Sequence, residues 1–596
     1  MKHDFDVIVV GGGHAGVEAS LAANRIGAQV ALITMRSTDI GVLSCNPALG
    51  GVGKGHLLRE IDALGGAMAR WGDAAAIHYR LLNASKGPAV QGPRAQIDRN
   101  LYRIVAENGI RESGIRTIFS EVADIQTVSG GIVVHLSDGI ELSASRVVLT
   151  TGTFLGGEIH IGHESRPAGR MGDAPADLLA RRLRDLGIVT GRLKTGTPPR
   201  LRSRSIAWDR VGRQPSDALP TFLAPDTRNV ANPQVECGVV ETREATHDII
   251  HANLSRSALY GGKISGKGPR YCPSIEDKVV RFSDKANHTI YLEPEGLTSD
   301  LVYPNGISTS LPAEAQIDLV RSVVGLEDAE IVRPGYAVEY DFCDPRHLSD
   351  TLECRDMPGL HLAGQINGTT GYEEAGAQGL LAGANAALAA MDRPPFRLDR
   401  STAYIGVMVA DLVSRGASEP YRMFTSRAEY RLRLRCDNAE HRLSERAYEV
   451  GLLDEGRLDA TARRREEDEQ LRDDLKAIRA TASPLETLRA FGSEIPAELS
   501  HWKGTRSLHH LTAEALYEPY LERQETERSR LAQNAAISIP TGMGFDLPGL
   551  TTQQREHLAA RRPGTLADAL DLEVMTPAAG LVVLAAIRAA DVSRET

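Results

Sequence analysis

The feature that most constrains this chain is its opening: an apolar strand, a glycine-rich turn and a helix in immediate succession. Asp6 to Val10 is a short β-branched run, Gly11-Gly12-Gly13-His14-Ala15-Gly16 follows, and Val17 to Ile26 is helical in character. A second strand, Gln29 to Thr34, completes a βαβ unit of about thirty residues. In such a turn the first glycine permits the bend, the second lets backbone approach a pyrophosphate, and the third lets the helix pack on the strand. The helix N-terminus adds unpaired N–H groups and a partial positive charge. Gly11, Gly12, Gly13, His14, Ala15 and Gly16 are therefore predicted to hold a dinucleotide on a Rossmann-like α/β domain. Where an acid ordinarily binds the ribose hydroxyls, after the second strand, the chain carries Thr34-Met35-Arg36. The ribose must be held differently, and this element alone does not name the cofactor. A second glycine-rich stretch, Gly50-Gly51-Val52-Gly53-Lys54-Gly55, is not a P-loop: Ala48 and Gly55 stand where a glycine and a magnesium-binding Ser or Thr are needed.

At 596 residues the chain is too long for one hydrophobic core. Ile118 to Val148 reads as short antiparallel strands, with turns at Ser129-Gly130-Gly131 and Asp138-Gly139, returning to the sheet at Arg146 to Leu149. The Gly- and Pro-rich stretch that follows reads as an inserted domain. Gly359 to Gly364 restores a buried strand, and Glu373 to Met391 is an Ala-rich helix ending near Asp392-Arg393-Pro394-Pro395. The expected division is a discontinuous nucleotide-binding domain (1–155 and 345–395), an inserted α/β domain (156–344) and a helical C-terminal domain (396–596). No apolar run approaches the ~20 residues that span a bilayer. Only a few residues precede the first strand, which leaves no room for a signal peptide, so a cytoplasmic location is expected.

Six cysteines, Cys45, Cys237, Cys272, Cys343, Cys354 and Cys436, show no C-x-x-C spacing, which argues against a zinc site or a dithiol redox motif. No metal is expected. The net charge of -10 is awkward for a nucleic-acid partner, because affinity for phosphate comes mainly from clustered Lys and Arg.

Longer strings carry more information. They include Ser44-Cys45-Asn46-Pro47-Ala48-Leu49-Gly50-Gly51, Asn83-Ala84-Ser85-Lys86-Gly87-Pro88, Gly191-Arg192-Leu193-Lys194-Thr195-Gly196-Thr197-Pro198-Pro199-Arg200 and Gly268-Pro269-Arg270-Tyr271-Cys272-Pro273-Ser274. Ala363-Gly364-Gln365-Ile366-Asn367-Gly368-Thr369-Thr370-Gly371-Tyr372 and Tyr421-Arg422-Met423-Phe424-Thr425-Ser426-Arg427 continue the series. In these strings, and in their order over about the first 440 residues, the chain resembles the bacterial tRNA uridine 5-carboxymethylaminomethyl modification enzymes, the MnmG (GidA) family. The C-terminal end resembles the family less, and Cys436 stands where the family has an acid.

The resemblance implies an enzyme that reduces FAD with NADH and takes a one-carbon unit from 5,10-methylenetetrahydrofolate. That carbon, with glycine or ammonia, is joined to carbon 5 of wobble uridine 34 in tRNA. It implies that Gly11 to Gly16 bind FAD, with Val122 and Gln365 as further contacts. It implies an NAD-binding segment at Gly268, Pro269, Arg270, Tyr271, Cys272, Pro273, Ser274, Ile275, Glu276, Asp277, Lys278, Val279, Val280, Arg281 and Phe282. A homodimer and a heterotetramer with an MnmE-type GTPase are implied in the same way. The family's FAD-contacting Ser is replaced here by Ala176.

A lone cysteine is ordinarily a small buried hydrophobe. Carbon 5 of uracil, however, is a poor nucleophile until something adds at carbon 6 or removes a proton, which suits a thiolate. Cys45 sits in a glycine-rich loop before a helix expected near Gly53. Cys272 has Arg270 and Lys278 near it in sequence, cations that lower a thiol pKa. The resemblance makes both catalytic, leaving open which attacks uridine and which serves folate or flavin chemistry.

From Ser401 onward, 26 Lys and Arg face 31 Asp and Glu, so RNA must be met by local clusters. Arg427, Arg431, Arg433 and Arg435 form the candidate. Arg431-Leu432-Arg433-Leu434-Arg435 alternates, which would place three guanidinium groups on one face of a strand; a solvated, salt-bridged face is the competing reading. Two other functions stay open: a folate- and FAD-dependent tRNA uracil methyltransferase, which should lack the long C-terminus, and a metabolic flavin oxidoreductase without RNA.

Overall fold

The computed structural model describes residues 3–189, 191–264, 266, 268, 273–492, 494–570, 572 and 575–595. The chain forms two compact units. One comprises Met1–Lys86, Val90–Phe424 and Ala439–Leu458, the other Gly87–Ala89, Thr425–Asn438 and Asp459–Thr596.

The first unit is organised by β1 (Phe5–Val10), whose β-branched residues have no exposed surface at Val7, Ile8 and Val9. It is followed by α1 (His14–Ile26) and β2 (Val30–Thr34). β1 lies between β2 and β6 (Glu141–Leu149) and runs parallel to both, with Val7 opposite Val30 and Arg146. A strand buried on both faces needs a continuous apolar run rather than alternation, and β1 and β2 supply one. β3 (Arg116–Phe119) extends the sheet beyond β2. β4 (Val122–Val128) and β5 (Gly131–Leu136) continue it antiparallel from β6, turning where Gly130 and Gly139 supply positive φ. β7 (Leu360–Leu362) joins β6 in parallel. The Rossmann-like α/β fold expected from sequence, with its small antiparallel extension, is the fold observed.

After β7 comes α2 (Tyr372–Ala390), which packs along α1 at unusually short range. A Cβ on Gly379 would stand 2.0 Å from the Ala15 carbonyl oxygen, and one on Gly383 2.2 Å from that of Ala19. Only a glycine stripe allows two backbones so close, and this contact fixes the first half of α1 against the middle of α2.

Between β6 and β7 the chain builds two antiparallel sheets. One pairs Glu158–Ile161, Gly191–Thr197 and Tyr336–Phe342; the other includes Arg200–Arg202, Thr289–Pro294 and Leu301–Asn305. The second unit is helical, with Arg506–Gln533 its longest helix. No helix among the described residues is long and apolar enough to cross a membrane.

One local expectation is corrected. Arg431 to Arg435 forms turns, not a strand. Leu434 and Arg435 are both buried, although adjacent strand residues point to opposite faces.

Candidate active site

A cavity of about 590 Å³ opens at the carboxyl ends of β1 and β6 in the first unit. Gly11, Gly12, Gly13, His14 and Ala15 line it, as do Val122 and Gln365. Gly16 does not. It lies behind the turn, where a Cβ would stand 1.8 Å from the Gly11 carbonyl oxygen, so its role is the close approach of α1 to the strand.

Neither Gly13 before α1 nor Gly371 before α2 caps its helix through a side chain, and residues 370–373 also line the cavity. Two helix N-termini therefore offer N–H groups and positive potential to one space, a favourable setting for anionic ligand groups. His14 is buried with its ring 4.6 Å from that of Tyr372 and 5.7 Å from that of Tyr102. Burial pushes it down to about 4, so it is neutral at pH 7. Its Nε2 has no hydrogen-bond partner among the described residues. A buried polar atom without a partner is costly, and a ligand in this cavity would meet it. Glycine turn, helix termini and orphaned nitrogen together fit a dinucleotide.

An acid does line the cavity after β2: Asp39, in the short turn Ser37–Asp39. Arg36 holds it at 3.0 Å and Arg170 at 2.9 Å, and Arg36 also pairs with Asp173 at 2.5 Å. Sequence reading missed it because it comes five residues after Thr34, beyond the usual position. The neighbouring Ala176 also lines the cavity, without a hydroxyl.

Lys54 enters from the glycine-rich loop at the start of the helix Lys54–Ala63. Its Nζ lies 2.7 Å from Glu373 and 3.0 Å from Glu374, and Glu373 also accepts the Gly50 N–H at 2.6 Å. Burial works against the charge on Lys54, but the two carboxylates outweigh it and raise its pKa. Burial likewise opposes ionisation of Glu373, and Lys54 overcomes it, leaving that carboxyl below its ordinary range.

Cys45 lies half-buried on the same cavity. Its N–H donates to the Tyr372 hydroxyl at 2.6 Å, and that hydroxyl donates to the Asn46 carbonyl at 3.0 Å. Its Sγ is 3.6 Å from the Tyr303 hydroxyl and 3.9 Å from the Gly196 carbonyl. Arg200 donates to the Cys45 carbonyl at 3.3 Å and sits 4.5 Å from the centre of the Tyr303 ring. Burial opposes the charge on Arg200 too, yet Glu295, 2.6 Å away, raises its pKa. Cys237, Cys343 and Cys354 are buried, and burial pushes Cys237 up to about 12.

These observations fall to one family. A model described as glucose inhibited division protein A matches residues 6–394. The tRNA uridine 5-carboxymethylaminomethyl modification enzyme MnmG of Granulibacter bethesdensis is 49% identical, with 96% of each chain covered. This chain belongs to the glucose inhibited division protein A family. Two crystal forms of Aquifex aeolicus GidA match it with a TM-score of 0.83, at 40% and 42% identity, over 98% of this chain and 99% of theirs.

Of the segment from Gly268 to Phe282, the residues Pro269, Arg270, Tyr271 and Cys272 lie outside the described residues. Among the described ones only Pro273 and Lys278 line the cavity. Ser274 caps the helix Ile275–Arg281, Ile275 and Val279 are core, and Val280 and Phe282 are exposed. Glu276 is buried and accepts from Thr309 and the Ser310 N–H, while Asp277 accepts from Tyr260. Lys278 donates to the Gly306 carbonyl at 2.7 Å.

The arginine cluster divides in the second unit. Arg431 and Arg433 are exposed, and Arg433 is 3.4 Å from Glu525. Arg435 is 1% exposed and paired with Asp437 at 2.9 Å, which removes it from any surface that meets phosphate.

Proposed function

We propose that this chain is a FAD-dependent enzyme that, with a GTPase partner, adds a (carboxymethyl)aminomethyl group to carbon 5 of wobble uridine 34 in tRNA. The observation that carries this reading is the 49% identity with the Granulibacter enzyme over nearly the whole of both chains. NADH is the reductant and 5,10-methylenetetrahydrofolate the one-carbon donor. The enzyme works in the cytoplasm as a homodimer that joins the GTPase. Residues 1–155 and 345–395 hold FAD, 156–344 receive NADH and substrate, and 396–596 dock tRNA and the partner.

FAD suits the cavity: the turn at Gly11 to Ala15 and the N-terminus of α1 receive the pyrophosphate, with Val122 and Gln365 as further contacts. When bound, flavin supplies the two-electron redox chemistry. Asp39, steadied by Arg36 and Arg170, serves the ribose hydroxyls. Lys54 offsets the charge of Glu373 and Glu374 at the second helix terminus, and neutral His14 offers its unpartnered nitrogen without adding a charge. Cys45 and Cys272 divide the thiol chemistry between them. One adds to carbon 6 of the uracil, which makes carbon 5 nucleophilic; the other serves transfer of the one-carbon unit.

The test follows the flavin spectrum of the purified protein as NADH is added, without and with methylenetetrahydrofolate, unmodified tRNA and the GTPase. Bleaching of the flavin and a new wobble nucleoside in digested tRNA is the expected result, lost in Cys45→Ser and in Cys272→Ser. Carbon appearing at another uridine would instead indicate the methyltransferase. Reducible flavin with no change in any tRNA would leave a metabolic oxidoreductase.

A further inference from the structure

We propose that Tyr303 is the positioning residue that makes Cys45 reactive, its hydroxyl donating to the Cys45 thiolate while Arg200, seated on its ring, steadies the anion. The proposal rests on the reading of Cys45 as a catalytic thiol.

Two tyrosine hydroxyls approach Cys45, and their hydrogen bonds separate them. Tyr372 accepts the Cys45 N–H and spends its own proton on the Asn46 carbonyl, so it fixes backbone. Tyr303 addresses the sulfur, at 3.6 Å. The Gly196 carbonyl, 3.9 Å from the same sulfur, can only accept, and so it serves the protonated thiol. Gly196 thus serves the thiol and Tyr303 the thiolate.

What tips the balance is the charge around the pair. Arg200 is 3% exposed and held on several sides: by Glu295 at 2.6 Å, the Thr197 hydroxyl at 2.9 Å and the Pro198 carbonyl at 2.6 Å. Arg99 shares the same Glu295 oxygen at 2.5 Å. Two guanidinium groups on one carboxylate leave a net positive charge beside Tyr303 and Cys45. A cation over the ring makes the phenol a stronger hydrogen-bond donor, and the same charge favours thiolate over thiol. Tyr303 itself comes from the strand Leu301–Asn305, paired to Thr289–Pro294, so its hydroxyl is placed by sheet register rather than by a loop.

The experiment measures the rate of Cys45 alkylation by iodoacetamide against pH, by peptide mass spectrometry on the flavin-loaded protein without tRNA. Buried Cys237, Cys343 and Cys354 serve as internal controls. The wild-type rate should reach its plateau below the ~8.5 of a free thiol. Tyr303→Phe should move the profile up by about one unit, which slows alkylation at pH 7 about tenfold, with flavin content and unfolding temperature unchanged. Tyr303→Met, which keeps the bulk without a ring for Arg200, should shift it at least as far. Profiles of both variants coinciding with wild type would overturn the proposal. The two readings fail separately. A shifted profile in a chain whose Cys45→Ser variant still modifies tRNA supports Tyr303 and removes the catalytic role of Cys45. An inactive Cys45→Ser with unmoved Tyr303 profiles does the reverse.

Discussion

Replacing Lys54 by Met tests whether the charge cluster at the start of α2 is a matched set. Lys54 is the cation within 3.0 Å of both Glu373 and Glu374, whose side chains are 2% and 0% exposed. Met keeps the length and bulk of the stem but leaves two adjacent buried carboxylates without it. Removing one partner of a buried pair costs about 3–5 kcal/mol, because the remaining charge stays desolvated. For a unit of this size that corresponds to a fall of roughly 3–5 °C in its unfolding temperature at pH 7.5. The pH dependence identifies the cause. In the wild type, Glu373 is held below its ordinary pKa, so its contribution is present above the unfolded value of ~4.3 and is lost as pH falls through the folded one. In Lys54→Met burial is opposed only by backbone donors, the Gly50 N–H among them, and lifts the folded pKa of Glu373 above the unfolded one. The deficit is then complete at high pH and shrinks as pH falls toward 5, where Glu373 protonates. Scanning calorimetry of both proteins between pH 5 and 8 measures it, and adding Glu373→Gln to the variant should recover part of the loss. A deficit under about 1 °C, or one that does not change with pH, would refute the matched-charge account.

Three further outcomes are expected. Gly16→Ala should weaken flavin retention at least tenfold in equilibrium dialysis, because its Cβ would stand 1.8 Å from the Gly11 carbonyl oxygen and force the phosphate turn open. Arg431→Ala and Arg433→Ala should each lower tRNA affinity and reduce the slope of log affinity against log salt by about one, whereas Arg435→Ala should leave that slope unchanged and lower stability, because it removes one of the two cations on buried Asp437. His510, between Asp437 at 2.8 Å and Glu514 at 3.4 Å, overcomes its burial through these partners and is raised to about 9. Its stabilisation is complete below the ordinary value of ~6.5 and is lost as pH rises through about 9, so the gap in unfolding temperature between wild type and His510→Gln should close over that range.

What the sequence made legible were features written within a few residues. The glycine turn, α1, the antiparallel strands of Val122 to Leu149 with glycines at their bends, and the helix beginning near Gly53 all follow from local periodicity and turn chemistry. The surroundings of Cys45 do not. Tyr303, Arg200 and Glu295 reach it from strands and turns more than 150 residues away, and nothing in their own neighbourhoods marks them. The alternation at Arg431 to Arg435 misled because five residues are too few to establish a period. The buried bridge from Arg435 to Asp437 and His510 decides that backbone instead.

The net charge of -10, which counted against an RNA partner, has a structural answer. Among the described residues sixteen Asp and Glu are buried, against three Lys and Arg. The asymmetry has a local cause. Short carboxylates are taken inside as acceptors for backbone N–H groups: Glu18 receives Ala67 and Met68, Glu60 receives Tyr404 and Ile405, and Asp73 receives Leu223 and Ala224. Long basic side chains cannot play that part, and they reach inward or outward along apolar stems instead. Burial also pushes the pKa of Glu18, Glu60 and Asp73 upward against these donors. Half-buried cations neutralise some of the sixteen, Arg442 on Glu60 at 3.0 Å and Arg457 on Asp62 at 2.8 Å. A protein that uses its acids to bind its own backbone and its own cations spends much of its acidity internally, so an acidic isoelectric point does not by itself describe the surface that a polyanionic substrate would meet.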